Sequence, residues 1–471
     1  MKIETKKEKP ELIPLKNHDA DSYAGQAHDH WKTGEPDLDH MLNEVIKEKG
    51  DFFCSQPWVH MYMPTYGFQH ICCNTSMSVK KHISQAENFE ELYNQPEFTK
   101  LREEMCGGHK DRERTLKTCV RCIQTEYRGF DSLRNSYNKS ATKNTKTKDE
   151  MDKLVEKVKK TGDGNIGLPE YLHTVELKVW GNYCNLKCIM CSVEDSSSVA
   201  EEQMELGEID IDQIKERVTL RTGFEPPFTP PLIRYEDNYI KEEEYWKIID
   251  RAVRIKLIGG ETFLQKQNIQ LLEHLVKTGK AKDKELIIFT NNYGYPRMEY
   301  VRDLLSNFKS IVYKCSLELW GPKNDYIRYP SKWEEVYKNM KLMNRIPQLK
   351  IHPTCTLNPI TIGYVHEIIE GAEEFTDSLP NFSNVSRPKW FTAHCIPDDI
   401  RDFYLKRYYS LPFEMIDKCE KAIETLEQRE FRPEKYKQMI DAIKRRDKYR
   451  GDNILNYFPE WKDHMTGSYY V

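Results

Sequence analysis

The sequence predicts an α/β protein built as a partial barrel of six strand and helix units, with a small cysteine-rich module before the barrel and a helical layer after it. Three observations support this fold class. From residue 171 onward, short β-rich runs alternate with longer helical patterns, which is the rhythm of parallel βαβ units. Six of the thirteen cysteines fall between Cys54 and Cys122. After about residue 397 the pattern is mostly helical and rich in Lys, Glu and Tyr.

These changes in composition divide the chain of 471 residues into five segments. They are a polar arm at residues 1–40, the cysteine-rich module at 41–137, a charged linker at 138–170, the barrel at 171–396 and a helical region at 397–471. The arm shows no apolar periodicity and is expected to be loose. The linker contains one possible short helix around 151–159, so it is expected to act as a charged spacer.

Six runs of residues are expected to form the parallel strands of the barrel. Because parallel strands end at the same edge, the loops that follow them should carry the chemistry. A long insertion at 200–250 contains Pro226, Pro227, Pro230 and Pro231 and is expected to form a lid or a substrate-facing loop. The predicted strands are residues 174–180, 252–259, 285–290, 311–318, 349–357 and 389–394.

The charge balance and hydropathy exclude several classes of partner. The 71 Lys and Arg against 75 Asp and Glu give a formal net charge of -4, so no overall field attracts nucleic acid or anionic lipid. No apolar run approaches the roughly 20 residues that span a bilayer, and the N-terminus lacks the apolar stretch of a signal peptide. We therefore expect a cytoplasmic protein without membrane or nucleic-acid partners. In that reducing compartment cysteines serve as metal ligands or reactive thiols more often than as disulfides.

Cys184, Cys188 and Cys191 form a CxxxCxxC loop directly after the first predicted barrel strand. Such a loop supplies three thiolates to one 4Fe-4S cubane, whereas these clusters are ordinarily held by four cysteines. The spacing therefore predicts one iron that can bind a small molecule, as a catalytic zinc keeps one position open. A zinc site, or thiols brought close by chance, is the alternative interpretation.

At this loop the sequence resembles the radical S-adenosylmethionine enzymes, in which a CxxxCxxC loop follows the first strand of a partial (β/α)6 barrel. The following strand ends match in order. Residues 255–263, IKLIGGETF, resemble the second-strand GGE motif, and 289–292, FTNN, resemble the TNG-type third-strand ending. Residues 315–321, CSLELWG, resemble the S-x-D-G stretch, and 325–328 resemble the D-x-x-R segment that often follows it. The resemblance assigns cofactor contacts to Gly259, Gly260, Glu261, Asn291, Ser316 and Glu318.

The resemblance also implies the chemistry. The open iron would chelate S-adenosylmethionine, and one electron would split it into methionine and a 5′-deoxyadenosyl radical that abstracts a hydrogen atom from the substrate. An oxidoreductase-type enzyme, a peptide or protein substrate and an electron donor such as flavodoxin or ferredoxin are the expectations, with no general acid or base assigned. Glu261 can accept hydrogen bonds from the methionine ammonium, or it can instead cap the following helix. Two positions depart from the pattern, since Met190 replaces an aromatic residue and Glu318 replaces an aspartate.

The N-terminal cysteines resemble the SPASM/twitch module of the same superfamily, which holds an auxiliary 4Fe-4S cluster; similar proteins are common in bacterial viruses. The resemblance implies four ligands, with Cys73 or Cys106 as replacements for one of them and a zinc site as the alternative. Four thiolates leave no open iron, which favours electron transfer. The implied ligands are Cys54, Cys72, Cys119 and Cys122.

Other reactive side chains receive simpler explanations. Cys315 and Cys355 lie in predicted strands and Cys419 lies on an apolar helical stripe, so all three are expected to pack in the core. His394 at the end of the sixth predicted strand, with Asp398 beyond it, has the chemistry to move a proton, although a lone histidine there is more often structural. Two non-enzymatic functions also fit the sequence: a cluster-containing binding protein and a zinc-stabilised interaction module.

Overall fold

The structure is a computed structural model that describes residues 37–467, apart from 66, 76–77, 108–110, 223–229 and 233–239. Most of the predicted polar arm lies outside the described residues. So do Pro226 and Pro227 of the predicted insertion. No helix in the described ranges is both long and apolar enough to cross a bilayer.

The centre of the molecule is a sheet of nine described strands in the order β3-β2-β1-β4-β5-β6-β7-β8-β9. The strands from β4 to β9 are parallel and follow chain order, as successive right-handed crossovers give. β1 joins them as a further parallel strand, while β2 and β3 are antiparallel. The strands are β1 His60–Met63, β2 Phe68–His70, β3 Ser78–His82, β4 Leu172–Leu177, β5 Ala252–Leu257, β6 Glu285–Thr290, β7 Ser310–Ser316, β8 Leu349–Leu357 and β9 Asn381–Asn384.

Five of the six predicted strands are confirmed, with shifts of up to three residues at their ends. The prediction of a strand at 389–394 was wrong. That stretch forms two 3-10 turns, Lys389–Phe391 and Ala393–Cys395, which bury Phe391 and Cys395 in an apolar cluster with the C-terminal helices. The sixth parallel strand is instead β9, whose Asn-Phe-Ser-Asn sequence is polar because it forms an exposed edge.

The described part of the chain before β4 contains seven helices in addition to β1 to β3. The predicted linker at 138–170 contains most of the last two, and their apolar residues Ala141, Met151, Leu154 and Val158 are buried. The first of the seven packs against the helix that carries Cys119 and Cys122. The helices are α1 Leu38–Lys49, α2 Gln56–Val59, α3 Phe89–Tyr93, α4 Pro96–Cys106, α5 Glu113–Tyr127, α6 Leu133–Lys143 and α7 Thr145–Thr161.

The next eight helices lie in the connections between the parallel strands. Three of them, α8 to α10, fall in or beside the predicted insertion. They are α8 Ser197–Glu205, α9 Ile211–Thr222, α10 Glu242–Arg251, α11 Lys266–Lys277, α12 Met298–Leu305, α13 Lys323–Ile327, α14 Trp333–Met343 and α15 Val365–Ala372. Five more helices follow β9, namely α16 Asp398–Tyr409, α17 Phe413–Lys418, α18 Glu420–Glu427, α19 Pro433–Arg450 and α20 Lys462–Thr466.

The two faces of the parallel sheet differ in character. One face carries Ile255, Ile288, Tyr313 and Ile351, which are buried in a core with apolar residues of α11, α12 and α14. Parallel sheets are usually apolar on both faces. Here the opposite face, which we call the polar face, carries alternate residues of the same strands: Thr174 and Glu176 of β4, Arg254 and Lys256 of β5, Phe289 of β6, Lys314 and Ser316 of β7, and His352 and Thr354 of β8.

Candidate functional site

The three-cysteine loop, residues 184–191, follows the carboxyl end of β4. Cys184 and Cys188 are buried and Cys191 is partly buried. Burial, with a smaller effect of the neighbouring Cys188, raises the pKa of Cys184 to about 12. Burial also raises the pKa of Cys191 well above its usual value, and the other two thiols add to that shift. Grouped thiols of this kind lose their protons to a metal centre, because metal ligation requires the thiolate.

The beginning of α8 fixes the first half of this loop. The hydroxyl of Ser198 donates to the carbonyl of Cys184 over 2.7 Å, and the hydroxyl of Ser196 donates to the carbonyl of Leu186 over 2.9 Å. Ser196 is also the N-cap of α8 and accepts from the Val199 amide. The serine run at 196–198 therefore starts the helix and holds the loop at once.

The end of α13 and the residues directly after it fix the second half of the loop. The Lys187 amide donates to the carbonyl of Tyr329 over 2.6 Å, and the Ile189 amide donates to the carbonyl of Ile327 over 3.1 Å. These bonds satisfy two buried donors that an irregular loop would otherwise leave unpaired. Between the serines and this segment, the loop backbone is held on both sides, which limits the positions that its thiols can take.

The last helical turn of α19 adds a third contact, which the sequence did not predict. Arg450 donates to the carbonyl of Lys187 and forms a bidentate ion pair with Glu202 of α8. Both ionic side chains are only 2% exposed. The Arg450 guanidinium also lies 5.0 Å from the centre of the Tyr329 ring. More than 250 residues separate Arg450 from Lys187, so no local sequence pattern could show this contact.

The GGE turn after β5 packs directly against the three-cysteine loop. The Glu261 amide donates to the carbonyl of Tyr183 over 2.8 Å, and the side-chain amide of Gln265 donates to the same oxygen over 3.2 Å. Gly260 has a φ of 53°, and a Cβ there would lie 2.2 Å from that carbonyl oxygen. Only glycine fits such a close approach. Two motifs 75 residues apart in the sequence, at Cys184 and Gly259, thus meet at one carbonyl group.

Glu261 is almost fully buried, and its carboxylate has three described donors. It accepts from the Thr290 hydroxyl over 2.6 Å, from the Asn291 amide over 2.8 Å and from the Phe263 amide over 3.4 Å. Burial raises the pKa of this carboxyl group, and the three hydrogen bonds oppose the increase. Glu261 therefore caps the 3-10 turn Thr262–Leu264 that follows it, which is the alternative role expected from the sequence. A carboxylate has about four acceptor positions, so one remains for a further donor.

Asn291, at the end of β6, connects the same groups. Its side-chain amide donates to the Asn185 side-chain oxygen over 2.9 Å, and the Asn185 amide donates to the carbonyl of Tyr293 over 2.8 Å. Asn185 lies between the first two cysteines of the loop. Asn291 thus holds the third strand end against the loop. The sequence singled out Asn291 but not Asn185.

Glu318 and Arg328 form a buried bidentate ion pair beside the loop. Glu318 is fully buried, and its second oxygen accepts from Arg328 over 2.9 Å. Another nitrogen of Arg328 lies 3.8 Å from the sulfur of Cys188. Glu318, for which a cofactor contact was predicted, is therefore engaged in an ion pair, and Ser316 lies partly exposed at the end of β7. Arg328 received no role in the sequence analysis, although it ends the segment that resembles D-x-x-R.

These residues fit a 4Fe-4S cluster with S-adenosylmethionine through their donor types. Three close thiols supply the cluster ligands, and a buried carboxylate, an amide and a guanidinium lie around them. A cubane takes one thiolate at each iron, so its cysteines need not converge on one point. Across the described ranges, no three His, Cys, Asp or Glu side chains are placed to hold a single metal ion.

A second group of thiols lines one pocket in the N-terminal region. Cys54 precedes α2, Cys72 follows β2, and Cys119 and Cys122 lie on α5, yet all four line the same cavity. Burial raises the pKa of Cys54 to about 12, and burial also raises the pKa of Cys119 well above its usual value. The nearby thiols Cys54, Cys122 and Cys72 add to the shift at Cys119. The α5 backbone leaves helical geometry at Cys119, with φ -106° and ψ 15°.

A buried ion pair lies beside this pocket. Arg134 lines it and pairs with Glu126, and the Arg134 guanidinium lies 4.3 Å from the centre of the Phe52 ring. Glu126 also accepts from Ser132 and from Lys49, at 2.5 and 3.2 Å. The positive charge next to the thiols is therefore largely compensated by Glu126.

The other two N-terminal cysteines are not among the residues that line this pocket. Cys73 is exposed, and its sulfur lies 3.1 Å from the hydroxyl of Tyr137. The Cys106 thiol points to the carbonyl of Val155 at 3.8 Å. The geometry thus favours Cys72 over the alternatives that the sequence left open.

The remaining predicted side chains lie away from both sites. His394 lies in a 3-10 turn and contacts the carbonyl of Glu430 over 2.8 Å, and Asp398 pairs with Arg429 at the surface. Neither belongs to the polar face. Cys315, Cys355 and Cys419 are buried in the core. Their predicted packing role is confirmed.

Comparison with known proteins gives only distant similarities. No protein-family model and no curated protein match the chain. The crystal structure of Streptococcus suis SuiB bound to S-adenosylmethionine aligns with 75% of this chain and 68% of its own, at 14% identity and a TM-score of 0.34. Native anSMEcpe with bound AdoMet aligns with 50% of this chain and 59% of its own, at 13% identity and a TM-score of 0.32. TYW1 with a lysine-pyruvate adduct bound aligns with 48% of this chain and 68% of its own, at 13% identity and a TM-score of 0.25. For SuiB bound to its precursor peptide SuiA, the match spans 61% of the SuiB chain.

Proposed function

We propose that this protein is a radical S-adenosylmethionine enzyme of oxidoreductase type. It would cleave S-adenosylmethionine reductively at a 4Fe-4S cluster and use the 5′-deoxyadenosyl radical to abstract a hydrogen atom. One observation carries the proposal: the amide of Glu261 and the side chain of Gln265 both donate to the carbonyl that precedes Cys184. This contact places the GGE turn against the three thiols, as the sequence resemblance requires.

The residues of this chain would bind and orient the cofactor. Cys184, Cys188 and Cys191 would hold the cluster, which supplies an open iron and an electron when bound. Glu261 would accept from the methionine ammonium with its remaining acceptor position. Gly259 and Gly260 would let the ligand approach the backbone closely, and Asn291 and Ser316 would offer further polar contacts at the strand ends.

Charge compensation supports the same assignment. Three thiolates and the Glu261 carboxylate concentrate negative charge in a largely buried site. Arg328 lies beside Cys188, and its charge lowers the pKa of that thiol even though burial raises the pKa more. A cationic cluster core would supply the remaining compensation. The Arg328 and Glu318 pair would then keep the guanidinium in place beside the cluster ligand.

We further propose an auxiliary 4Fe-4S cluster at Cys54, Cys72, Cys119 and Cys122. The support is that four cysteines from three separate places in the chain line one pocket. With four thiolates no iron stays open, so electron transfer from the substrate radical is the role that fits. A peptide or protein substrate and a flavodoxin or ferredoxin as electron donor complete the proposal on the basis of the sequence resemblance.

Anaerobic reconstitution with iron and sulfide tests the proposal. The wild type should bind about eight irons and form 5′-deoxyadenosine from S-adenosylmethionine and dithionite. The Cys188→Ala variant should lose this product and about four irons. Cys419→Ala, which removes a buried thiol outside both sites, should behave as the wild type. Bound zinc without cleavage would favour a zinc-stabilised interaction module. Bound clusters without cleavage would favour a non-catalytic binding protein.

A further inference from the structure

The polar face carries two lysines that the proposed cofactor site does not use. The ammonium groups of Lys256 and Lys314 lie 5.3 and 5.5 Å from the centre of the same Phe289 ring. In the sheet register, Phe289 of β6 lies directly beside Lys314 of β7, and Lys256 lies on the other neighbouring strand, β5, beside Ile287. Two like charges on one aromatic side chain repel each other, so their proximity requires a compensating negative group.

The described residues compensate only part of this charge. Lys256 pairs with Glu176 over 2.8 Å, and Lys178 approaches the other oxygen of that carboxylate at 3.6 Å. Glu285 on the same face pairs with Arg254 and Lys309. Within the described residues, the Lys314 ammonium forms no ion pair or hydrogen bond, and the Phe289 ring is its contact.

The surroundings of Lys314 make an unpaired cation costly. The side chain is partly buried, and its burial together with the charge of Lys256 lowers its pKa. His352 lies beside Lys314 in the register and is affected in the same way, by burial and then by Lys314 and Lys350. A cation in such surroundings persists when it serves an anionic ligand, because binding then supplies the missing charge.

A second unpartnered group lies on the next strand. The hydroxyl of Thr354 is buried and has no hydrogen-bond partner, although buried hydroxyl groups are normally paired. Thr354 lies beside Ser316 in the register, and Ser316 is two residues from Lys314 on the same face. Thr354 is thus the diagonal neighbour of Lys314 on the polar face, and its hydroxyl has an unused hydrogen-bonding capacity.

This cluster lies next to the strand ends that carry the proposed cofactor-binding residues. Lys256 lies three residues before Gly259, the first residue of the GGE turn, and Lys314 lies two residues before Ser316. A ligand group held there would sit next to the carboxyl ends of the strands, where parallel folds bind their substrates.

We propose that Lys314, with Lys256 and Thr354, binds an anionic oxygen group of the substrate, a carboxylate or a phosphate. This inference rests on the proposed function in one respect, that the substrate of that reaction occupies the polar face. It adds that the substrate is acidic at a point close to the reacting atom. Lysine binds both kinds of oxyanion as a point charge, so the protein itself does not distinguish them.

Calorimetric titration of the full-length chain tests the site with two probes, inorganic phosphate and glutarate, at constant ionic strength. Glutaramide, the neutral analogue of glutarate, serves as the uncharged control probe. The wild type should bind one anion per chain, and Lys314→Gln should weaken binding at least about tenfold, the usual loss of one charge-assisted hydrogen bond. Lys314→Arg should retain binding to within about threefold, because it keeps the charge. The preferred probe identifies the oxyanion.

The control variant is Lys277→Gln, which removes an exposed lysine at the end of α11 and should bind as the wild type does. Thermal denaturation shows whether Lys314→Gln folds, and we expect its midpoint to equal or exceed that of the wild type, since a partly buried cation without an ion pair is removed. Equal anion affinity in wild type and Lys314→Gln, or equal binding of glutaramide, overturns the inference.

The test is independent of the proposed reaction. It needs no cluster, whereas 5′-deoxyadenosine formation by the wild type measures the reaction alone. Cleavage without Lys314-dependent anion binding overturns the inference and leaves the proposed function. Lys314-dependent binding without cleavage supports the anion site and overturns the proposed function.

Discussion

The two groups of cysteines are built in opposite ways. The three-cysteine loop takes all its thiols from residues 184–191, and distant elements hold its backbone. The pocket in the N-terminal region takes its thiols from three separate places, namely Cys54, Cys72 and the α5 pair. The first site is local in sequence and supported by tertiary contacts. The second site exists only when the tertiary structure has formed.

Their surroundings differ as well. Around the loop lie Glu261, Asn291 and Arg328, which are polar groups able to bind a charged small molecule. The pocket has apolar walls such as Leu101 and Met105, and its guanidinium is compensated by its own carboxylate. The two proposals follow this difference: we propose a cluster with an exchangeable ligand at the loop and a closed cluster in the pocket.

The largest expected effect separates the two sites by their chemistry. After reconstitution, Cys188→Ala and Cys119→Ala should each lose about four irons. Formation of 5′-deoxyadenosine should fall below detection in Cys188→Ala, because the open iron is lost, and remain detectable in Cys119→Ala. Iron analysis and chromatography measure both quantities. Loss of the product in both variants would show that the two sites do not differ in the proposed way.

The next effect concerns the two buried ion pairs. Arg328→Met leaves Glu318 buried without its cation and should lower the free energy of unfolding by about 3–5 kcal/mol. Arg134→Met should cost less, because Glu126 keeps Lys49 at 3.2 Å. Denaturant unfolding measures both variants.

The double variant Arg328→Met with Glu318→Gln is the control for this prediction. Since the uncompensated Glu318 charge is then absent, the double variant should recover more than half of the unfolding free energy that Arg328→Met loses. Equal costs for Arg328→Met and Arg134→Met would contradict the difference between the sites.

A third effect tests the distant support of the loop. Arg450→Met should lower the free energy of unfolding by about 2–3 kcal/mol, because it removes a buried ion pair and a backbone contact. Arg446 stays 3.7 Å from the same Glu202 carboxylate and limits the loss. Iron binding at the loop should also weaken. Arg445→Met, at a side chain that is 53% exposed, should change stability by less than about 0.5 kcal/mol. If both variants behave alike, α19 does not support the loop.

The same contrast explains what the sequence could predict. The loop was visible because its chemistry lies in eight consecutive residues, and the five apolar strands were visible through their β-rich runs. β9 was missed because an edge strand with the sequence Asn-Phe-Ser-Asn has no apolar signal. The choice between Cys72 and Cys73 stayed open in the sequence because adjacent residues differ only in direction, which the fold sets.

Contacts between distant segments are the feature that sequence patterns could not predict. Arg450 and Asn185 have ordinary sequence surroundings, and only the packing of α19 and β6 against the loop gives them a role. The sequence around Lys314 does not distinguish it from the other lysines, and only the strand register shows that it lies beside Phe289 on the polar face. Sequence patterns reveal a ligand and a strand, whereas the groups that surround a ligand depend on tertiary structure.

The smallest effect tests whether the two regions form one unit, because β1 belongs to both. His60 of β1 is buried beside Thr174 of β4, and burial together with the charge of Lys256 lowers its pKa from 6.5 to about 3. The folded state therefore holds the neutral ring, while the unfolded chain takes up a proton below pH 6.5. The stability from His60 is complete above pH 6.5 and is lost as the pH falls toward about 3.

This loss should amount to at most about 1.4 kcal/mol per pH unit. His60→Gln cannot take up the proton, so the difference in unfolding free energy between wild type and variant should shrink or reverse as the pH falls from 6.5. Urea unfolding followed by tryptophan fluorescence measures the difference at several pH values. If the two regions are one unit, a single transition should carry the whole pH dependence. Parallel curves for the two proteins would show that His60 titrates normally, and two transitions with only one of them pH-dependent would show that the cysteine pocket and the loop fold independently.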